Sequence, residues 1–340
     1  MGTSDKFPIS GSGAKDDLMR EAAALYYLQH ETMESVARKL GQSRSTVSRL
    51  LKAAREAGIV RIEVRDVDTE TVLAQELTRR LRVRTHVVRV REPMSDADRL
   101  DRVARSAALA LTDWFRDGMT LGVAWGTTVS SIILHLQDQP LTGSTVVQLN
   151  GSVSPSTTGI AFGADQMSAV ARAFNSEMMP FPVPAFFDFT NTREMMWQER
   201  SVKEVLQRQA RADVALFGVG AINSPLPSHV YNSGYLDEVD RRTLATNDVV
   251  GDVCTVFLRG DGSWRDIAIN SRASGPNPHE LRRIPRRIGV VASPTKVVAL
   301  LAALRARTIT ELIIDSGTAQ ALINMARMRK PARSASARRY

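Results

Sequence analysis

Apolar residues recur at helical spacing over 16–29, at Leu18, Ala22, Leu25 and Leu28, and predict a first helix. A second helix is expected over about 32–40, a turn at Gly41, and a third helix over about 43–57 with Gly58 as its C-cap. Residues 59–64, Ile-Val-Arg-Ile-Glu-Val, alternate apolar and polar. That is the period of a half-buried strand, and it predicts the wing of a winged helix-turn-helix. The charged run 65–70 reads as a linker. From Thr71 the pattern changes. Short apolar runs at 86–90, 119–125, 145–149, 214–219, 253–258, 288–292 and 312–315 alternate with helical patterns at 97–116, 127–137, 164–176, 200–210, 236–245, 295–306 and 317–328. Such alternation predicts an α/β domain with a mainly parallel sheet. Residues 177–200, with Pro180, Pro182, Pro184, Phe186, Phe187 and Phe189, are expected to leave the sheet as a subunit or ligand surface. The expected division is a winged unit over 16–65 and an α/β unit over 71–330, with disordered tails at 1–15 and 331–340.

A chain of 340 residues has room for two domains, and its 43% hydrophobic share is enough for a full core. No apolar run reaches the length of a membrane span, and Met1 to Lys15 lacks the apolar centre of a signal peptide. A cytoplasmic protein with no membrane partner is the expectation. The net charge of +9 suits nucleic acid. Much of the excess, however, lies in Arg327, Arg329, Lys330, Arg333, Arg338 and Arg339, or around Arg282, Arg283, Arg286 and Arg287. Charge alone therefore carries little weight. The single cysteine, Cys254, excludes an intrachain disulfide and is expected within a buried strand, as a core residue rather than a nucleophile. His30, His86, His135, His229 and His279 show no paired spacing, so neither a zinc site nor any other cofactor is expected.

The helix-turn-helix expectation rests on particular residues. Ala37 is small where two helices must cross, and Gly41 suits the turn between them. Val36, Leu40, Val47 and Leu50 are spaced to face inward, and Ser43 is placed to cap the third helix. Gln42, Ser43, Arg44, Ser45, Thr46, Ser48, Arg49 and Lys52 then form an outward polar face for the major groove of double-stranded operator DNA. A plain three-helix bundle with surface arginines shares the composition. It does not call for the small residues at these spacings or for the wing.

The stretch from Ser43 through Val60 closely resembles the recognition helix and wing of the SorC family of bacterial sugar-responsive regulators. The resemblance continues in family order through Gly122–Thr128, Gln148–Gly151, Ser201–Leu206, Leu216–Gly220, Val250–Asp252, Ile288–Lys296, Leu312–Asp315 and Thr318–Ala319. It implies an effector domain related in fold to sugar-phosphate isomerases and glucosamine-phosphate deaminases. It also implies a sugar, polyol or sugar-phosphate effector, and homodimers or homotetramers on palindromic operators. The implied protein is a regulator of carbohydrate-metabolism genes rather than an enzyme. The competing reading is a sugar-phosphate isomerase or deaminase with an accessory DNA-binding segment.

In an open α/β sheet, ligands bind beyond the carboxyl ends of the strands. Gly126, Thr127 and Thr128 follow an apolar run and open a helix, which suits either a bound polar oxygen or an ordinary N-cap. Asn150-Gly151 and the loop from Gly218 end two further runs, as ligand loops or as turns. Asp252 is a hydroxyl acceptor or a loop cap. Lys296, at a helix start, is by family position a phosphate or hydroxyl donor, and otherwise a solvated lysine. Gln166, near the start of the 164–176 helix, matches a family polar contact loosely. Two departures count against a phosphorylated ligand. Ser293-Pro294 stands where the family often has two glycines, and the glycine after Gly151 is Ser152, followed by a Ser/Thr-rich loop to Gly159.

Overall fold

The computed structural model describes residues 12–29, 31–57, 59–60, 69–152, 159–222, 224–225, 228–232 and 234–328. The chain divides into two compact units, one ending at Val67 and one beginning at Asp68.

The first unit contains α1 (Ser12–Ala23), extended by a wider turn over Ala24–Leu28, then α2 (Met33–Lys39) and α3 (Arg44–Glu56). Helix α1 thus starts inside the stretch 1–15 expected to be irregular. Ala14 and Lys15 are good helix formers, and propensity extends a helix where no apolar face announces it. Residues 1–11, Gly58 and the wing positions 61–64 lie outside the described residues. Met19, Ala22, Leu25, Val36, Ala37, Val47, Leu50, Leu51 and Ala54 form one buried cluster, with Leu40 packed at its edge. The Thr32 side chain accepts from Ser35 N–H and the Ser43 side chain from Thr46 N–H, so both later helices carry an N-cap. Between them Gly41 sits at φ +61°. Its N–H donates to Arg38 O, and Gln42 N–H donates to Ala37 O, which satisfies two carbonyls left open at the end of α2.

The second unit runs α4 (Thr69–Leu81), β1 (Arg84–Val88), α5 (Asp96–Trp114), β2 (Thr120–Val123), α6 (Thr127–Ile133), β3 (Thr145–Gln148), α7 (Gly159–Ala173) and β4 (Glu177–Met179). It continues through α8 (Thr190–Met196), α9 (Arg200–Ala210), β5 (Val214–Gly218), β6 (Gly220–Ala221), α10 (His229–Asn232), α11 (Glu238–Thr246), β7 (Val249–Val253) and β8 (Val256–Arg259). It ends with α12 (Pro278–Leu281), β9 (Arg286–Val291), α13 (Val297–Arg305), β10 (Glu311–Asp315) and α14 (Ser316–Met328). Seven strands form one sheet in the order β1-β10-β9-β5-β2-β3-β4, all pairs parallel. Helices cover both faces. Leu73 and Leu77 of α4 share a core with α13 and α14, and Val103, Ala107 and Leu111 of α5 share another with α7. The α/β fold expected from the alternation is the fold observed.

Three local expectations are corrected. The linker run 65–70 ends in helix, because Thr69 and Glu70 open α4, whose apolar side is Leu73 and Leu77. The run 253–258 is a hairpin rather than one strand. Strands β7, β8 and the short β6 form a separate antiparallel sheet, and Cys254 and Thr255 make the tight turn at φ 49° and 69°. The apolar run spans both arms, while the turn lacks the Gly or Asn that usually marks one. The stretch 177–200 begins as the sheet edge β4 before leaving it, and Phe181, Val183 and Phe187 then pack on Val147, Val202 and Val205.

Helix α13 ends as α2 does, with Arg307 N–H on Leu304 O and Thr308 N–H on Ala303 O, but Arg307 holds the left-handed position at φ 57°. A side chain there is strained and glycine is not. Gly41→Ala is expected to destabilise the first unit by about 1 kcal/mol, and Arg307→Gly to stabilise the second by about 0.5–1 kcal/mol. Denaturant midpoints for the two variants should move in opposite directions.

Candidate functional site

Helix α3 presents one face to the core and one to solvent. Val47, Leu50, Leu51 and Ala54 are buried, while Arg44, Ser45, Ser48, Arg49 and Lys52 are exposed on the other side. At about 100° per residue the exposed set spans one continuous arc. Gln42 is exposed just before the helix. Ser43 is committed to the cap. Its Oγ accepts Thr46 N–H at 3.1 Å and lies 2.8 Å from the hydroxyls of both Ser45 and Thr46. Arg44 pairs with Glu34 at 2.9 Å, both side chains largely exposed. Such a surface pair contributes little and exchanges readily for another anion.

In the second unit the sheet order creates an opening. Strands β2 and β5 are neighbours, but the chain leaves β2 toward β3 and β4, and leaves β5 toward β9 and β10. Loops that depart in opposite directions leave a crevice at the carboxyl ends of the two strands. A cleft of about 570 Å³, including its open mouth, lies there. Gly126, Thr127, Thr128, Asn150, Gly218, Asp252 and Lys296 all line it.

Backbone geometry shapes the cleft. Gly126 has φ +148°, a conformation that side chains resist, and it leads directly into α6. Gly220 pairs in register with Asp252 across β6 and β7, and any Cβ at Gly220 would collide with the Asp252 carboxylate. Trp125 stacks on Tyr235 at 5.2 Å to make an aromatic wall. The two rings are fixed by bonds from Trp125 Nε1 to Gly151 O at 2.8 Å and from Tyr235 OH to Ser152 O at 2.8 Å.

Three polar groups face the cleft from deep positions. Asp252 is 5% exposed, with Oδ1 accepting from Tyr231 OH at 3.0 Å and Oδ2 from Thr255 N–H at 3.2 Å. Burial raises its pKa to about 6, against the lowering effect of those two bonds and of Lys296. Lys296 is 9% exposed, and burial lowers its pKa while Asp252 and Asp96 oppose the shift. Asn150 is 1% exposed, and its Oδ1 is buried without a hydrogen-bond partner among the described residues. Buried polar atoms normally have partners, so an open one in a cleft marks a place for a ligand atom. The Lys296 loop is itself anchored. Ser293 stands at φ +94° where the family often has glycine, and its N–H donates to Asp315 Oδ2 at 3.2 Å. Asp315 is fully buried and takes Arg99 Nη1 at 2.6 Å, while Arg99 also reaches Glu92 at 2.7 Å.

Two expected residues stand elsewhere. Gln166 lies in the middle of α7, because that helix starts at Gly159 and not near 164. Its Oε1 accepts Gly126 N–H at 3.2 Å and its Nε2 donates to Ser130 Oγ at 2.6 Å, so it braces the loop from behind. Gly151 is turned away from the cleft, its N–H on Ser274 Oγ at 2.9 Å and its Cα against the Val183 carbonyl. Sequence reasoning missed Trp125, Ser228, Cys254 and Thr255 as lining residues. Trp125 lay within a quoted motif. Thr255 and Cys254 were hidden by the unmarked turn. Burial raises the Cys254 thiol pKa far above its ordinary value, which does not suit a nucleophile. Among the described residues no group of His, Cys, Asp and Glu is arranged to hold a metal, and no helix is long and apolar enough to cross a membrane. Part of the Ser/Thr-rich loop, 153–158, lies outside the described residues.

Comparison with known proteins covers both units. Residues 65–324 match the family model described as "Putative sugar-binding domain", and residues 19–63 match a helix-turn-helix domain. The deoxyribonucleoside regulator of Bacillus subtilis is 32% identical over 314 residues, covering 91% of this chain and 98% of its own. The sorbitol operon regulator of Klebsiella pneumoniae is 28% identical, covering 90% of this chain and 97% of its own. The full-length crystal structure of the K. pneumoniae sorbitol operon regulator SorC superposes with a TM-score of 0.68 at 26% identity, covering 91% of this chain and 99% of that one. A domain of a "possible sugar-binding transcriptional regulator" from Arthrobacter aurescens has a TM-score of 0.71 at 42% identity, covering 76% of this chain and 100% of that one.

The raised pKa of Asp252 has a consequence for stability. Between the ordinary carboxylate value of 3.8 and about 6, the folded state holds a proton that the unfolded chain has released. Stability from this group is therefore greatest at low pH and falls as pH rises through that window. Asp252→Ala removes the effect. Its unfolding free energy relative to the wild type is expected to improve by up to about 3 kcal/mol between about pH 4 and pH 7, measured by denaturant unfolding.

Proposed function

The chain belongs to the SorC family of sugar-responsive transcriptional regulators, and on that premise we propose that the cleft between β2 and β5 binds a neutral sugar or polyol that controls operator affinity. The carrying observation is the trio of Asn150 Oδ1, Asp252 and Lys296. An unpartnered acceptor, a buried carboxylate and a buried ammonium converge on one cleft. A polyhydroxy ligand meets all three, donating to Asn150 and Asp252 and accepting from Lys296. One cation facing one carboxylate leaves no net positive charge for a phosphate. Pro294 also removes an N–H from the loop that carries Lys296.

The partners of Asp252 favour the regulator reading over an enzymatic one. Among the described residues the groups hydrogen-bonded to Asp252 are Tyr231 and Thr255, neither of them the histidine that a carboxylate–histidine pair uses for proton transfer. Gln42, Arg44, Ser45, Ser48, Arg49 and Lys52 meet base edges and phosphates of the operator, with Ser43 and Thr46 holding the start of the helix. The chain acts in the cytoplasm as a homo-oligomer whose paired recognition helices fit a two-fold operator. The ligand changes operator affinity by binding one subunit arrangement more tightly than another.

A thermal-unfolding screen of the full chain with sugars, polyols and their phosphates tests the ligand class. A neutral compound at about 100 times its Kd should stabilise the protein by about 2.7 kcal/mol. Affinity should fall as pH drops through about 6, where Asp252 takes up its proton and loses charge as an acceptor. Stabilisation by phosphorylated compounds alone would overturn the neutral-ligand reading. For the DNA face, Arg44→Ala combined with Arg49→Ala should weaken operator binding at least about 100-fold and flatten its salt dependence. Unchanged binding in a gel-shift titration would sink that assignment.

A further inference from the structure

A second cleft, about 720 Å³ with its mouth included, lies on the far side of the Ser274–Gly275–Pro276 segment from the first. The segment is a shared wall, since Gly275 lies directly against the Cys254 carbonyl of the first cleft. The second cleft is floored by Leu149 at the end of β3 and walled by Leu206, Ile284 and Trp197. At its side stands Arg193, half-buried on α8. The guanidinium is held firmly. Its Nε donates to Ala273 O at 2.7 Å, and it lies 4.7 Å over the Trp197 ring. Among the described residues no carboxylate comes within salt-bridge distance of it and its Nη groups have no acceptor.

We infer that this cleft is a ligand site for a small organic acid with an apolar body, its carboxylate on Arg193. Glu280 and Glu194 act on this partly desolvated guanidinium only from beyond salt-bridge distance, so its planar fork stays open to a carboxylate in direct contact. Burial lowers the Arg193 pKa, which records the same desolvation. The walls choose the rest of the ligand. Gln209 Nε2 is already spent on Gln148 O at 2.7 Å and Leu149 O at 3.2 Å, so that wall offers hydrocarbon rather than donors. Along that wall a ring hydroxyl finds no free donor, while the charged groups, Arg193, Arg283 and Glu280, stand elsewhere in the lining. Arg193 and Arg283 face one carboxylate, Glu280, in this lining, a balance that suits a monoanion better than a dianion such as phosphate.

Phenylacetate, its neutral analogue phenylacetamide and inorganic phosphate are the probes, titrated into the full chain and followed by saturation-transfer NMR and calorimetry. Phenylacetate is expected to bind saturably with a Kd on the order of 1 mM or tighter. Phenylacetamide and phosphate should each bind at least about tenfold more weakly. Arg193→Gln should weaken phenylacetate binding at least about tenfold. Glu280→Gln keeps an oxygen for the Asn277 N–H that Glu280 now accepts, and it should tighten binding several-fold by removing the opposing charge. Because the two variants move affinity in opposite directions, a folding defect in Arg193→Gln leaves the Glu280→Gln result decisive. Lys296→Gln alters only the first cleft and should leave phenylacetate binding intact. Equal binding of phenylacetate and phenylacetamide, no saturable binding, or loss in Lys296→Gln would each overturn the proposal. None of these outcomes depends on whether the first cleft takes a sugar.

Discussion

Asp315 is a fully buried carboxylate at the end of β10, and four parts of the second unit meet on it. It caps the start of α14 through Thr318 N–H, holds the β9–α13 loop through Ser293 N–H, and draws Arg99 of α5 inward. Arg99 brings Glu92 of the β1–α5 connection with it. A charge at this depth is tolerable only because every oxygen is occupied and an opposite charge is in contact. The same bonds fix Ser293 in a left-handed conformation that serine would otherwise avoid. Lys296 sits three residues on, so its place at the cleft depends on a carboxylate that does not line the cleft.

The two halves of the cleft are built by different means. The floor comes from the parallel sheet, where strand order alone opens a gap between β2 and β5. The cover comes from the small antiparallel sheet that carries Asp252, Cys254 and Thr255. These join where Gly220 leaves room for the Asp252 carboxylate and Gly218 lets Thr128 approach. The glycines in the sequence motif are therefore matters of space as much as of turn geometry.

Much of this was legible in the chain because parallel strands buried on both faces read as unbroken apolar runs. The runs at 145–149, 288–292 and 312–315 lie on β3, β9 and β10, and the ends of the runs on β2, β3 and β5 point to Gly126, Asn150 and Gly218, while Lys296 past β9 rests on family position. What escaped has local causes. Gly251 and Asp252 interrupt the apolar pattern of β7, so the hairpin collapsed into one expected strand. Helix α4 was obscured by the charges at its start. Gln166 is polar and near glycine-rich motifs, but the helix start that decides its position lies in a stretch without periodicity. Asn150 and Gly151 are adjacent in sequence, yet one faces the cleft and the other the Ser274 wall, a distinction that only the packing of Val183 makes.

The Cys254–Thr255 turn also makes the protein its own reporter. Cys254 is the only thiol in the chain, and it lies in the cleft wall with little exposure. A water-soluble alkylating reagent meets it by way of the cleft, through the mouth or as the hairpin shifts. Its alkylation rate therefore reports how accessible the cleft wall is, and falls when a ligand covers that wall. Each chain carries this one thiol, so no introduced label is needed.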